Sequence, residues 1–489
     1  MEIFISALMG ELISRSVSSI INKYSKPPAE AVEAGLERIL LRGQVIVDEA
    51  MGRHITNHGM LGQLSMLRYA MYQGYYVLDT FRCQAYQEEQ NNLAVSQCGA
   101  VSKFRYAQRL CVSSSNRKRT SQGLVEALDG LRSMILDASE MVRFLTTYPR
   151  MHRQPYSMHL LLEKCMFARQ RETEVVINFL LCTEIQSCTS CFDVLPIVGP
   201  DSVGKSTLVA HVCEDERVRH HFSQIVSFRH DNFIIQDIAA LEGRCALTHE
   251  NKGRLLIVVD IVGDLDEDLW EILCSLCRQS TTSGSKIIIT SRSDKITKLG
   301  TTHTLLLKHL SHEAFWYFFK VTAFGSTDPK MHPRLVYLSM EIAKLMYNLA
   351  GASITACALR TNFNINFWCK VLAFRRACIQ NQLPKFGVHP CELFSKNRPV
   401  YLRRMGRTTE DVLVLSTNQT CSSEEEIPKI MAIDVLYGIT RPQGGVFKVL
   451  LWKSRIPPYH IYTQTYEIRE LQARAVKRKR PLMNGSRHV

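Results

Sequence analysis

The sequence predicts a multidomain α and α/β protein: an N-terminal helical bundle, a parallel sheet flanked by helices, a partial helical region, and a C-terminal stretch of β character. Three observations predict it. Apolar residues recur at spacings of three and four through residues 1–150, short β-branched runs alternate with helical stretches over residues 185–325, and strand-like segments without a helical period follow residue 399. A chain of 489 residues has room for two to four domains at about 150 residues each.

Within the bundle, Met9, Ile13, Val17 and Ile20 form a first stripe, and Pro27 and Pro28 stop it and suit the first turn of the next helix. Val32, Leu36, Ile39 and Ile46 form a second stripe. Met60, Leu64, Leu67, Met71, Tyr75 and Leu78 form a third, and Leu124, Leu128, Leu131, Ile135, Val142 and Leu145 a fourth. Four amphipathic helices cannot hide their apolar faces singly, so an antiparallel bundle is the economical solution. The polar segment from Gln87 to Gln122, rich in Ser, Asn and Arg, reads as a long, partly disordered loop.

Residues 151–184 read as a basic linker and a lead-in helix over Glu172 to Thr183. The strand candidates are Val194 to Val198, Gln224 to Phe228, Leu255 to Val259, Lys286 to Thr290 and Thr304 to Leu307. Continuous apolar runs are what strands buried on both faces need, and their alternation with helices argues a doubly wound parallel sheet. Residues 326–385 return to helix; 386–470 contain strands such as Val446 to Trp452 and Tyr459 to Ile468; 471–489 form a basic tail. No internal repeat of solenoid period is found, so no leucine-rich array is expected.

The sharpest chemical signal is Gly199-Pro200-Asp201-Ser202-Val203-Gly204-Lys205-Ser206, which fits G-x-x-x-x-G-K-[ST] between a strand and a helix. Glycines let backbone amides curl around phosphate oxygens where a Cβ would intrude. The helix that follows, through Ser206 and Thr207, offers unpaired N–H groups and its positive dipole end to the same anion. Lys205 would neutralise the β/γ-phosphates, and the Ser206 hydroxyl would take one Mg²⁺ position. In Leu255-Leu256-Ile257-Val258-Val259-Asp260, a buried strand ends in a carboxylate, which makes Asp260 the candidate catalytic residue and a water-mediated Mg²⁺ holder. Arg292 follows the strand Lys286 to Thr290 and could reach a γ-phosphate; an arginine just past a strand is also a common surface charge.

Composition narrows the function classes. A chain 46% hydrophobic and 22% charged is neither wholly disordered nor fibrous. The longest apolar runs fall far short of the roughly 18 residues a membrane span needs. No secretory leader is read at the N-terminus, where Glu2 stands without a basic cluster, so the 16 cysteines read as reduced cytosolic thiols. The expected compartment is the cytoplasm. Net charge is +14, but the excess is concentrated: residues 441–489 hold 11 Lys/Arg against 2 Asp/Glu. Nucleic acid as a partner is therefore disfavoured, because its binders spread charge over a folded face. The cluster Lys477-Arg478-Lys479-Arg480 reads as a nuclear-import signal, an anionic-surface contact or a solvated tail. The C-x-x-C pairs Cys188/Cys191 and Cys274/Cys277 lie too far apart for a zinc ribbon, and the second sits on a helix where small buried thiols are common.

The residues Val194 to Ser206, Phe222 to Phe228, Leu255 to Val262, Gly284 to Arg292 and Leu310 to Phe318, in this order and spacing, resemble the NB-ARC domain of plant intracellular immune receptors of the nucleotide-binding leucine-rich-repeat class. The N-terminal bundle resembles, more weakly, the Rx-type coiled-coil domain of those receptors. The resemblance implies an ADP/ATP switch with Mg²⁺, in which Lys205, Ser206, Asp260 and Arg292 hold the nucleotide. It implies defence signalling in which the bundle self-associates or engages a protein partner.

The departures from the family pattern are specific. Ile261 stands where a second acid usually follows the strand-ending Asp, so hydrolysis should be slow or absent. No proline occurs in Leu349-Ala350-Gly351-Ala352-Ser353, where the family places one against the adenine, and no Met-His-Asp triplet is found. The family's acidic patch corresponds to Tyr75-Tyr76-Val77-Leu78-Asp79, with only the last acid kept. The expectation is a truncated relative with an intact phosphate cradle and an eroded switch. Two other readings stay open: a nucleotide-independent adaptor or decoy acting through its bundle, and a P-loop ATPase of another process.

Overall fold

A computed structural model describes residues 28–97, 103–150, 167–182, 192–201, 203–230, 253–261, 263–280, 284–346, 348–387, 393, 398–404, 410–420, 427–440, 442, 445–453 and 461–470. The apolar stripe from Met9 to Ile20, the pair Cys188/Cys191 and the basic tail lie outside these residues. The chain divides into two compact units, Met1–Arg360 and Thr361–Val489.

The first unit opens with α1 (Ala29–Met51), α2 (His58–Gln97), α3 (Lys103–Asp137) and the short α4 (Ser139–Leu145). Pro28 stands at the N-cap of α1, where its missing N–H costs nothing. The second, third and fourth predicted stripes meet in one core: Leu36, Leu64, Leu67, Met71, Leu124, Leu128 and Leu131 are buried together with Leu40 and Leu61, while Val142 of the fourth stripe is exposed. Each such leucine contributes about 1.5–3 kcal/mol of transfer free energy. The predicted loop over Gln87 to Gln122 is a correction: Gln87 through Gln97 continue α2, and Lys103 through Gln122 belong to α3. The segment carries no proline, and its Gln, Glu, Ala, Lys and Arg residues are good helix formers, so backbone propensity holds a helix there without an apolar stripe to advertise it.

After the bundle come α5 (Gln170–Leu181), β1 (Asp193–Val198), α6 (Lys205–Cys213), α7 (Glu216–His221), β2 (Gln224–His230), β3 (Leu255–Ile261), α8 (Glu267–Ser280), β4 (Lys286–Ser291) and the two-residue β5 (Leu305–Leu306). The strands form one parallel sheet in the order β2-β3-β4-β1-β5. Strand periodicity splits its side chains between two cores. Val194, Val226, Ile257, Val259, Ile261, Ile287 and Ile289 pack with Leu273, Cys274 and Cys277 of α8 on one face. Leu195, Ile197, Leu256, Val258 and Ile288 pack with Val176, Leu180, Leu208, Val212 and Val218 of α5, α6 and α7 on the other. Every residue of central β4 is buried, Lys286 included; its ammonium donates to Asp193 Oδ2 at 2.8 Å and the Cys182 carbonyl at 2.9 Å.

Helices α9 (His312–Phe324), α10 (Pro333–Ala343) and α11 (Leu349–Thr361) follow. Ser311 caps α9 by accepting from the Ala314 N–H. Helix α9 packs against α2 through Tyr317, which lies with Tyr72, Tyr75 and Phe167 in an aromatic cluster with centroids 5.0 to 6.4 Å apart. Asp79 of α2, the retained acid of the predicted patch, is buried and accepts from Trp316 Nε1 at 2.8 Å and Lys320 Nζ at 2.6 Å.

Between Phe167 and α5, Ala168 adopts φ 56, the one non-glycine residue with positive φ among those described. An L-residue pays about 1–2 kcal/mol in this region, against about 0.5–1 kcal/mol of chain entropy for a glycine replacing it. Ala168→Gly is therefore expected to stabilise the protein by about 0.5 kcal/mol, read as a rise in the thermal unfolding midpoint. An unchanged or lowered midpoint would contradict it.

The second unit contains α12 (Ile365–Phe386), β6 (Val400–Arg403), β7 (Glu410–Thr420), α13 (Ala432–Leu436), β8 (Val446–Lys453) and β9 (Ile461–Glu470). Its sheet is antiparallel, in the order β6-β7-β9-β8. Phe374 of α12, Val435 of α13 and Val400, Val412, Val449 and Tyr466 of the sheet make its core. The strand-like runs read near Val446 and Ile468 are β8 and β9, which pair with each other in this sheet.

Candidate functional site

The site forms where β1 ends. Val198 is the last strand residue, and the chain turns through Gly199 to Gly204 into α6, whose first residue is Lys205. Gly204 takes φ 96 and ψ 23, a left-handed conformation that glycine adopts at little cost. Gly199 is needed for space: a Cβ there would sit 2.5 Å from the Leu307 carbonyl oxygen and 3.2 Å from Val203 Cγ1. Its N–H donates to the Ser291 carbonyl at 3.3 Å, which ties the loop to β4.

Lys205 is buried, and its Nζ donates to the Gly199 carbonyl at 2.7 Å and the Pro200 carbonyl at 2.8 Å. The ammonium thus arches back over the loop. Burial pushes its pKa below the ordinary lysine value, Arg292 adds to the shift, and Asp201 and Asp260 oppose it. Pro200 is exposed, Val203 is buried, and Ser206 and Thr207 are half-buried on the first turn of α6; Ser202 lies outside the described residues.

Asp260, the penultimate residue of β3, pairs in register with Thr290 of β4, and the Thr290 hydroxyl donates to Asp260 Oδ1. Since β4 runs between β1 and β3, Asp260 is not on the strand next to the loop; it reaches the site across Thr290. A small pocket bears this out, with Ser206, Asp260, Thr290, Ser227 and Cys213 among its lining. The structure thus brings the predicted Ser206 and Asp260 to one pocket, whose lining does not include Lys205 or Arg292. Ile261 turns to the other sheet face, buried against α8.

Arg292, the residue after β4, makes an ion pair through Nη2 with Asp201 Oδ1, both side chains about a third exposed. Sequence reasoning named both residues without linking them, because 91 positions separate them. It missed Thr290 altogether; a hydroxyl at a strand end is a weak signal until the neighbouring strand is known.

No family model matches the chain. "Disease resistance protein RGA2" of Solanum bulbocastanum is 24% identical over 324 residues, 62% of this chain and 31% of that protein. "Putative disease resistance RPP13-like protein 1" of Arabidopsis thaliana is 25% identical over 422 residues, 76% of this chain and 38% of that protein. The chain is a homologue of plant disease-resistance proteins. It spans 31% to 38% of the length of these two relatives. Among solved structures, a chain of Drosophila ORC bound to DNA is 13% identical, covering 53% of this chain and 79% of that chain at a TM-score of 0.31. A Signal Transduction ATPase with Numerous Domains (STAND) protein with a tetratricopeptide repeat sensor, from Pyrococcus horikoshii, is 12% identical, covering 38% and 31% at a TM-score of 0.24. Both scores are too low to bear on the fold, which rests on the strand order and register.

Proposed function

We propose that this disease-resistance homologue binds ADP or ATP at the turn between β1 and α6 and acts in plant defence signalling. One observation carries the reading. At the C-terminal end of a central parallel strand, Gly199 is packed so closely that no Cβ fits, a left-handed Gly204 opens α6, and a buried ammonium covers the turn. Backbone amides and a helix N-terminus in that arrangement suit a phosphate chain. Gly199 to Thr207 would cradle it, Lys205 would supply positive charge to its outer phosphates, and Arg292 is the further cation at the rim.

The donor set also fits Mg²⁺. The Ser206 hydroxyl and the Asp260 carboxylate line one pocket, and oxygen ligands are what this hard cation takes. Bound there, the ion would neutralise phosphate charge. Asp260 would hold it with Thr290 fixing one carboxylate oxygen. Hydrolysis would be weak or absent, because Ile261 faces the α8 core and offers no second carboxylate to orient a water.

Protein contact would run through the helical bundle, where Leu41 and Val45 leave apolar side chains 64% and 68% exposed one turn apart on α1. Among the described residues no helix is long and apolar enough to cross a membrane. The cytoplasm is the site of action this reading takes from the sequence. The nuclear reading of Lys477 to Arg480 rests on sequence alone.

The test is nucleotide content and stability. Denatured, purified protein is expected to release ADP, and added ADP at about 100 times its dissociation constant is expected to stabilise the fold by about 2.7 kcal/mol. Lys205→Ala is expected to lose both effects. An empty protein whose melting temperature ignores ADP would instead favour the adaptor reading. Mg²⁺-dependent phosphate release abolished by Asp260→Ala would favour an ATPase.

A further inference from the structure

The loop that would cradle phosphate carries a carboxylate of its own, at the third position of its motif. Asp201 lies between Pro200, whose carbonyl Lys205 holds, and the turn into α6, and its Oδ1 accepts from Arg292 Nη2. Arg292 stands one residue past Ser291, which pairs in register with Val198, so the arginine leaves the sheet beside the loop. Lys205 Nζ holds the Gly199 and Pro200 carbonyls, so its ammonium and the Asp201–Arg292 pair sit on the same turn.

Nucleotide specificity depends on how these charges meet successive phosphates. In the nucleotide-site reading, the amides of the turn and Lys205 would meet a diphosphate. A third phosphate would add negative charge at the rim and need a further cation, and among the described residues Arg292 stands beside the loop. That guanidinium is already satisfied by a carboxylate, so an incoming terminal phosphate must displace it and then sit beside the released anion. A nearby like charge is a common means of rejecting one ligand while tolerating another.

Resting on the nucleotide-site reading above, we propose that Asp201 is a specificity-determining residue: by holding Arg292 it biases the site toward the nucleoside diphosphate and against the triphosphate. The carboxylate is an internal competitor for the arginine. A triphosphate is bound only at the cost of breaking the pair, whereas a diphosphate leaves it intact.

The experiment is calorimetric titration of the full chain with ADP and with a non-hydrolysable ATP analogue, for wild type, Asp201→Asn, Asp201→Gly and Arg292→Ala. Asp201→Asn and Asp201→Gly are expected to tighten the ATP analogue about tenfold while changing ADP by no more than about threefold. Arg292→Ala is expected to weaken the ATP analogue and leave ADP nearly unchanged. If wild type binds ADP but the Asp201 variants shift both nucleotides equally, or neither, the specificity role is overturned while the nucleotide site stands. If neither wild type nor any folded variant binds either nucleotide, the site itself is refuted and this role with it.

Discussion

Asp79→Ala is expected to destabilise the first unit by about 3–5 kcal/mol, measured by urea unfolding followed through tryptophan fluorescence. Asp79 Oδ2 accepts from both the Trp316 indole N–H and the Lys320 ammonium, and all three residues are buried. Truncation leaves an ammonium and an indole N–H without their acceptor in a place water does not reach. The Tyr75 ring, 4.9 Å from Lys320 Nζ, compensates only in part. The pair spans 241 positions and links α2 to α9, so its loss should loosen the bundle from the helices that follow the sheet. The double variant Asp79→Leu with Lys320→Met is expected to recover most of the loss, because removing both charges removes the uncompensated one. A single variant as stable as wild type would show that the pair carries no such weight, and a double variant no better than the single would place the effect in packing.

The parts of the fold legible in the sequence are those set by local pattern. Strands β1, β3 and β4 announce themselves because burial on both faces demands uninterrupted Val, Ile and Leu, and the turn before α6 because its glycines and lysine recur at fixed offsets between a strand and a helix. Three bundle helices are legible from apolar stripes alone. Helix over Gln87 to Gln97 and over Lys103 to Gln122 is not, because a helix held by backbone propensity displays no stripe, and Ser and Asn in it resemble loop composition. The antiparallel sheet of the second unit shows β8 and β9 in the sequence but neither β6 and β7 nor its order, since β7 pairs with β9 across an intervening strand.

The candidate site divides the same way. Gly199 to Ser206 and Asp260 are visible as motifs, but what joins them is not. The strand order puts β4 between β1 and β3, and Thr290 therefore becomes the partner of Asp260. Likewise Asp201 reads in sequence as an unconstrained position of the motif, and acquires meaning only beside Arg292. Asp79 is similar: the family resemblance reads it as the last acid of a patch, whereas packing makes it the acceptor of two buried donors. Non-local pairing is what a one-dimensional pattern omits.

Gly199→Ala is expected to cost about 3 kcal/mol and to abolish the rise in melting temperature on adding ADP. The reason is space. No positive φ is recorded at Gly199, so alanine could adopt its backbone conformation, but the added methyl would meet the Leu307 carbonyl oxygen at 2.5 Å. That carbonyl is backbone, and the Leu307 N–H is itself bonded to the Val198 carbonyl at 2.8 Å, so it cannot retreat without opening the edge beside β1. The alternative is for the loop to rotate, which breaks the Gly199 N–H bond to Ser291 and removes the carbonyl that Lys205 holds. Either relaxation moves the amides that would grip phosphate. Gly204→Ala makes the contrast: its φ of 96 is the obstacle, at about 1–2 kcal/mol for a left-handed L-residue. Thermal unfolding with and without ADP reads both effects, and a Gly199→Ala protein that melts and responds to ADP like wild type would show that this turn is neither tightly packed nor the place where nucleotide binds.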